Sequence, residues 1–265
     1  MGCNGLTTIN VELTSRCNKG CWMCGRRKRD KIYHDLKYGD MEWGLVEKIA
    51  NDVTEGLVIQ VHNNGEPLLY PRFGDAVELF KKKRCLVNTV TNGKLLLEKF
   101  DEIVNNLDTL SISIFENDEE ADEQYKIIKE FLHRKGSRRP YVNLRLIGKV
   151  DRTRYEALDQ LIITRLLHAP EGSFNYKRGK PTIPEIGVCL DLMHHLAIDR
   201  YGNVSVCVRF DPEGDLIIGD MNHGNLYNMW YSQKRIMMKE LHIAGRRDMV
   251  PFCSKCHFWG VPTGE

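Results

Sequence analysis

A chain of 265 residues, 42% hydrophobic and 28% charged, has the make-up of a globular protein with one large domain, or one domain with a smaller appendage. Lys+Arg 38 against Asp+Glu 36 leaves a formal net charge of +2, so bulk charge demands neither a nucleic-acid nor a membrane partner. No signal-type apolar run opens the chain and no stretch nears the roughly 18 apolar residues of a membrane span, which points to the cytoplasm, where thiols stay reduced.

In chain order, "TTINVEL" (7–13) alternates apolar residues as a strand does and runs into a cysteine-rich loop. "MEWGLVEKIANDV" (41–53) puts Met41, Leu45, Ile49 and Val53 on one helical face. "GLVIQVH" (56–62) reads as a buried strand followed by the loop "NNGEP". Helices over 72–83, 94–106 and 118–134 alternate with strands over 85–91, 109–115 and 141–147, then a short helix near 152–160 and a strand at 161–167. Strands and helices in this order imply right-handed crossovers and a parallel sheet, either doubly wound or an incomplete (β/α) barrel. In both, ligands sit at the carboxyl ends of the strands, where the cysteine loop, "HNNGEP" and "TNG" all fall.

The style changes near residue 170. "APEGSFNYKRGKPTIPEIG" (169–187) reads as a linker or binding loop, "HLAIDRYGNVSVCVRF" (195–210) as a hairpin, and 225–244 as a helix before the closing "CSKC". Two domains are expected, over 7–170 and 171–265. The basic clusters at 26–29, 81–84 and 133–139 and the acidic run at 116–123 read as solvated loops and helix ends.

Nine cysteines in a reducing compartment call for an explanation other than disulfides. Cys17, Cys21 and Cys24 form one group, Cys189, Cys207, Cys253 and Cys256 another, and Cys3 and Cys85 stand apart. Three thiolates can hold three irons of a [4Fe–4S] cube and leave the fourth open to a substrate or cofactor. A zinc site completed by a distant residue such as His34 is the alternative. Four cysteines close a site completely, either around zinc or around an iron–sulfur cluster.

The CxxxCxxC loop directly after a first strand resembles that of the radical S-adenosylmethionine (radical SAM) superfamily. The resemblance implies an α/β fold, a partial (β/α)6 TIM-like barrel, with Cys17, Cys21 and Cys24 ligating a [4Fe–4S] cluster whose open iron binds S-adenosylmethionine. One electron then yields a 5′-deoxyadenosyl radical, which abstracts hydrogen from substrate. Met23 stands where many members carry an aromatic residue, with Trp22 beside it. "NNGEP" resembles the family's Gly-Gly-Glu-Pro motif, which implies that Glu66 accepts from the methionyl ammonium while Gly65 permits close backbone approach. "TNG" (91–93) and "SIS" (111–113) put Asn92 and Ser113 where related enzymes contact methionine and ribose.

The last part, with "GNVSVC" (202–207), "GNLYNMW" (224–230) and "CSKC", resembles the shortened SPASM domain called twitch. That implies a small C-terminal twitch-type auxiliary-cluster domain in which Cys189, Cys207, Cys253 and Cys256 hold one auxiliary [4Fe–4S] cluster. Such a cluster has no open position and suits electron transfer. The layout most resembles the radical SAM dehydrogenases of aminoglycoside precursors, which implies oxidation of an alcohol on a small polar metabolite. A small-molecule substrate and an external flavodoxin- or ferredoxin-like electron donor are the expected partners.

Epimerisation, modification of a ribosomal peptide, RNA modification and a zinc-stabilised binding module are the other readings. Cys85 is a conceivable hydrogen-atom donor for the first, though the start of a strand suits a structural role better. At the substrate rim, His62, Asn63, His168, Asn175, Tyr176, Arg178, Arg209 and Asp211 are candidates for binding or proton transfer, with Tyr176 and Arg178 foremost because they lie on the bridging loop. Arg145 either pairs with a carboxylate or faces outward, and one of His194 and His195 is expected to be exposed.

Overall fold

The computed structural model describes residues 2–22, 24, 26, 37–165, 184, 187–208, 211, 214–254 and 256. Six strands, β1 (Thr8–Val11), β2 (Val58–Gln60), β3 (Leu86–Thr91), β4 (Thr109–Phe115), β5 (Tyr141–Ile147) and β6 (Leu161–Arg165), pair in parallel, each with the next in sequence. The strand order never reverses across these six, so no switch point of a doubly wound sheet occurs. The winding is that of a partial (β/α)6 barrel.

The helices between them follow the apolar period. In α1 (Trp43–Asp52), Leu45, Val46, Ile49 and Ala50 are buried. In α2 (Phe73–Lys82) the buried face is Phe73, Ala76, Val77 and Phe80, with Asp75 in the first turn and Lys81 and Lys82 in the last, complementing the helix dipole. Next come α3 (Phe100–Asn106), α4 (Ala121–Lys135) and the short α5 (Arg152–Glu156). The expected helix over 94–106 starts only at Phe100, since the chain turns through 94–99.

Strand alternation sorts the residues onto two faces. Ile9, Val11, Ile59, Val61, Val87, Leu110, Ile112 and Leu144 are buried in the core shared with the helices. The opposite, concave face is largely polar. Asn10, Gln60, Asn88 and Thr109 stand side by side in register across β1 to β4, Ser111 stands beside Asn143, and Ser113 beside Arg145. A sheet core is normally apolar, so a polar wall of this extent is unusual, and it is bonded in part within itself, Asn10 Nδ2 donating to Gln60 Oε1 at 3.3 Å.

The expected second domain shares the sheet of the first. After α6 (Leu190–His194), β7 (His195–Ile198) pairs in parallel with β1, and β8 (Asn203–Ser205) and β9 (Ile217–Asp220) continue antiparallel, making nine strands in order 6-5-4-3-2-1-7-8-9. The sequence reading missed β9, whose four residues carry too little alternation to stand out. The helix expected within 225–244 is present as two pieces, α7 (Leu226–Trp230) and the longer α8 (Gln233–Ile243). Ser232 divides them by capping α8, its side chain accepting from Arg235 N. Trp230 is buried and donates from its indole nitrogen to Asn4 O at 3.0 Å, tying this end to the N-terminus. The last helix among the described residues, α9 (Pro251–Ser254), carries Cys253. Among the described residues no helix is long and apolar enough to cross a membrane.

Candidate active site and metal centres

The loops that follow β1 to β4 are laced together by buried polar contacts. Gly65 lies so close to the β1 loop that a Cβ there would sit 2.1 Å from Thr14 O and 2.7 Å from Arg16 O, which only glycine avoids. Next to it Glu66 N donates to Arg16 O at 2.7 Å. Buried Glu12, at the end of β1, accepts from Asn64 N at 3.2 Å and Asn64 Nδ2 at 2.8 Å. Arg16 grips Asp40 with two bonds of 2.9 and 2.8 Å and also donates to Leu69 O at 2.7 Å.

The Glu66 carboxylate is 2% exposed and accepts from three donors of its own chain: Thr91 Oγ1 at 2.7 Å, Asn92 N at 2.8 Å and Leu68 N at 3.2 Å. Burial pushes its pKa up to about 7, against the pull of those three bonds. Asn92 reaches the cysteine loop, donating to Asn18 Oδ1 at 2.8 Å, and its Nδ2 lies 4.0 Å from Cys17 Sγ. Gln124 of α4 ties Asn92 O, at 2.7 Å, to Ser113 O, at 2.9 Å. Gly65, Glu66, Asn92 and Ser113 are thus linked at the strand ends, and of these Asn92 reaches towards Cys17.

The acidic run is not simply solvated. Lys19, between the first two cysteines, pairs with Asp118, and both side chains are nearly buried at 9% and 7% exposure. Glu120 pairs with Lys94 at 2.5 Å and Lys19 at 3.4 Å. Two members of the run therefore anchor the cysteine loop to the end of β4, an arrangement that depends on a long-range contact and has no local sequence signal.

Cys17, Cys21 and Cys24 are each half-buried. Burial, with Cys24 and Cys17 close by, pushes the Cys21 thiol up to about 11. Thiols that crowd in this way are relieved by a cation, which inverts their ionisation outright. The donor set, the partial exposure and the amide of Asn92 near Cys17 Sγ fit a cluster with one iron left open. Trp22 is exposed, while Met23 and His34 lie outside the described residues.

The second group gathers around one pocket. Cys189 at the start of α6, Cys207 after β8, Cys253 in α9 and Cys256 line one cavity of about 430 Å³, mouth included, with Leu192, Val206, Leu216 and Phe252 as apolar wall. Burial pushes Cys253 up to about 12, with Cys207, Cys189 and Cys256 adding to the rise. Buried Arg247 brings a positive charge to the wall and donates to the carbonyls of Cys253 and Cys256, the latter at 3.1 Å, so it holds the CxxC turn. Four sulfurs around a cavity, beside a compensating guanidinium, fit an iron–sulfur cluster.

Of the rim candidates, His62 lies on the concave face, two residues past Gln60, with Nδ1 buried and unpartnered. Burial and the nearby Arg145 guanidinium hold its pKa down to about 3, so it is neutral. Arg145 accordingly lies on the same face as His62. Asn63 is half-buried in the loop after β2. Asp211 accepts from Leu216 N at 3.0 Å and Ser205 Oγ at 3.2 Å, bracing the turn between β8 and β9. Both His194 and His195 are half-buried, the first against Gly5 O at 2.8 Å and the second against Asp191 at 3.2 Å, so neither is the exposed residue expected. Cys85 is buried against Thr54 O at 3.6 Å. His168, Asn175, Tyr176, Arg178 and Arg209 lie outside the described residues. The residues not singled out from sequence are Glu12, Lys19, Thr91, Asp118 and Gln124, whose roles come from partners distant in the chain.

A parallel partial barrel with a three-cysteine loop after its first strand defines a class of enzymes that pair an open iron–sulfur cluster with a small cofactor. The chain belongs to the radical SAM superfamily, whose family model matches residues 11–161. A second model, the SPASM iron-sulfur cluster-binding domain, matches residues 189–257. The cofactors are accordingly a [4Fe–4S] cluster with S-adenosylmethionine and an auxiliary iron–sulfur cluster. The S-adenosyl-L-methionine-dependent 2-deoxy-scyllo-inosamine dehydrogenase of Niallia circulans is 23% identical over 267 residues, 97% of this chain and 95% of that one. A Pyrococcus furiosus tungsten-containing aldehyde ferredoxin oxidoreductase cofactor-modifying protein is 34% identical over 109 residues, 40% of this chain but only 28% of the relative. Among solved structures, BtrN in complex with AdoMet and 2-DOIA shares the fold with TM-score 0.67 at 17% identity, covering 98% and 96% of the two chains. Streptococcus suis SuiB bound to precursor peptide SuiA does so with TM-score 0.60 at 13% identity, covering 86% and 65%.

Proposed function

We propose that this radical SAM enzyme oxidises an alcohol of a small polar metabolite to a ketone, with the auxiliary cluster accepting one electron. The observation that carries the reading is the second site: four cysteines line one pocket, enough to complete a cluster's ligand set, beside a sheet joined through β7 to β1, the strand that leads into the first cysteine loop. When bound, the three-cysteine cluster with S-adenosylmethionine supplies the radical that takes the hydrogen atom, and the auxiliary cluster is an electron sink.

The chain's own residues then have separable tasks. Cys17, Cys21 and Cys24 would hold the first cluster, and Cys189, Cys207, Cys253 and Cys256 the second. Gly65 and Glu66 dock the β2 and β3 loops on the cysteine loop, and Asn92 and Ser113 border the cofactor's place. Asn10, Gln60, Asn88, Ser111 and Asn143 offer hydrogen bonds to substrate hydroxyls along the concave face. His62, neutral and with an unpartnered ring nitrogen, is placed to hold the hydroxyl proton that an oxidation must release. Tyr176 and Arg178 remain substrate-loop candidates, and the division at 7–170 and 171–265 is retained as one of function within a continuous sheet.

The resemblance of the whole length to the Niallia dehydrogenase supports a small-molecule substrate, and the fold shared with SuiB keeps a peptide substrate as the second reading. The test is a screen of amino-cyclitols, cyclitols and peptides with anaerobically reconstituted protein, a low-potential flavodoxin- or ferredoxin-like reductant and S-adenosylmethionine. Ketone and 5′-deoxyadenosine in equal amounts are expected. A product at the oxidation level of its substrate, or turnover with peptides alone, overturns the reading.

A further inference from the structure

His242 sits in the last turn of α8 and is 3% exposed. Both of its ring nitrogens are buried, and neither has a hydrogen-bond partner. The ring forms part of the same cavity wall as Cys189, Cys207, Cys253 and Cys256. Leaving a buried donor unsatisfied costs about 1–3 kcal/mol, so native chains keep such a group where something absent from the protein part meets it. Neutral or charged, an imidazole presents at least one N–H.

Asp191 and Arg247 are the charged groups on that wall. Asp191 faces His195 at 3.2 Å, and Arg247 holds the carbonyls of Cys253 and Cys256. The sulfurs that line the cavity, and those of a cluster within it, are acceptors on the same wall as the ring.

We propose that His242 is a positioning and tuning residue of the auxiliary centre, donating a ring N–H to a sulfur of the cluster held by the four cysteines. The inference rests on the auxiliary cluster of the proposed function. Such a bond favours the reduced cluster, which carries one more negative charge, and so raises its reduction potential. His242 would make the second centre a better acceptor for the electron that substrate oxidation releases.

The experiment uses the full reconstituted chain with S-adenosylmethionine added. The added ligand perturbs only a cluster with an open iron, so the EPR signal of the closed one can be followed separately. Redox titration of wild type, His242→Phe and His242→Gln is combined with iron counting and pulsed EPR for ¹⁴N coupling. Expected are unchanged iron, a ring-nitrogen coupling seen only in wild type, and an auxiliary potential in the Phe variant lower by about 59 mV or more, a tenfold change in a one-electron equilibrium. The Gln variant, which keeps an N–H, recovers part of that shift. A closed cluster of unchanged potential in both variants, with no ¹⁴N coupling in wild type, overturns the proposal while leaving the dehydrogenase reading intact. Wild-type protein with zinc or no metal in the second cavity overturns both. Iron lost from the Phe and Gln variants alike identifies His242 as a ligand and overturns the hydrogen-bond role.

Discussion

The two thiol sites are built in opposite ways. The first draws three cysteines from eight consecutive residues, all half-buried, on a loop at the strand ends. The second gathers four cysteines spread from 189 to 256, also half-buried, around one mostly apolar pocket. A short loop can be placed as a unit and leave one side open, but it depends on neighbours to hold it, here Gly65, Arg16, Asn92 and Lys19. A site assembled from distant segments is held by the fold itself, and its four thiolates can complete a cluster's ligand set. Local assembly suits chemistry at an open iron, and dispersed assembly suits the exchange of electrons.

The sharpest way to break the comparison is to remove the first set. A Cys17/Cys21/Cys24→Ala variant is expected to lose all 5′-deoxyadenosine formation yet keep roughly half of the iron, as two independent four-iron centres require. Iron analysis beside the cleavage assay checks this, and loss of all iron would show that the sites are not independent. Gly65→Ala is next, because its Cβ would collide with backbone at 2.1 Å. It should lower first-cluster iron and S-adenosylmethionine binding at least tenfold while the auxiliary signal persists.

Lys19→Ala leaves Asp118 buried without its partner, at a local cost of about 3 kcal/mol. Hydrogen exchange across 15–22 should quicken with little change in 189–208. A smaller effect concerns acid stability. The His62 pKa is held near 3, below the ordinary 6.5, so the unfolded chain takes up the proton first as pH falls. Its contribution is present above pH 6.5 and is lost between there and about 3 at about 1.4 kcal/mol per unit. The stability difference between wild type and His62→Gln, from denaturant melts, should therefore shift against wild type across that window. An unchanged difference would place the ring in solvent. Least of all, Arg84→Ala removes a pair with Glu55 that is 77% and 65% exposed, and the midpoint should move by well under about 1 kcal/mol.

Much of this was legible beforehand. The strands at 109–115 and 141–147 fall where the alternation puts them, because both are long and have one face against the helices. The cysteine loop, GEP and TNG were recognisable as strand-end features, and they meet in space because parallel strands carry all their carboxyl ends to one side. The contacts that hold them were not legible. Asp118 reads as one of several acids in a soluble run, and nothing near it in sequence says that Lys19 comes within reach. Glu66 reads as an acceptor facing a ligand, and nothing in its sequence neighbourhood says that Thr91 and Asn92 also donate to its carboxylate. The break between α7 and α8 turns on one serine, whose capping bond competes with a continuous helix and wins locally.

By itself the sequence determined the two thiol sets, the strand–helix alternation and the loops that bear the chemistry, because residue type and short-range period carry that information. Only the tertiary structure decided that the strands wind without a switch point, that β7 attaches the last part to the same sheet, and that His242 faces the four-cysteine cavity. Those outcomes depend on which distant surfaces bury one another, and that is a property of the packed chain rather than of any stretch within it.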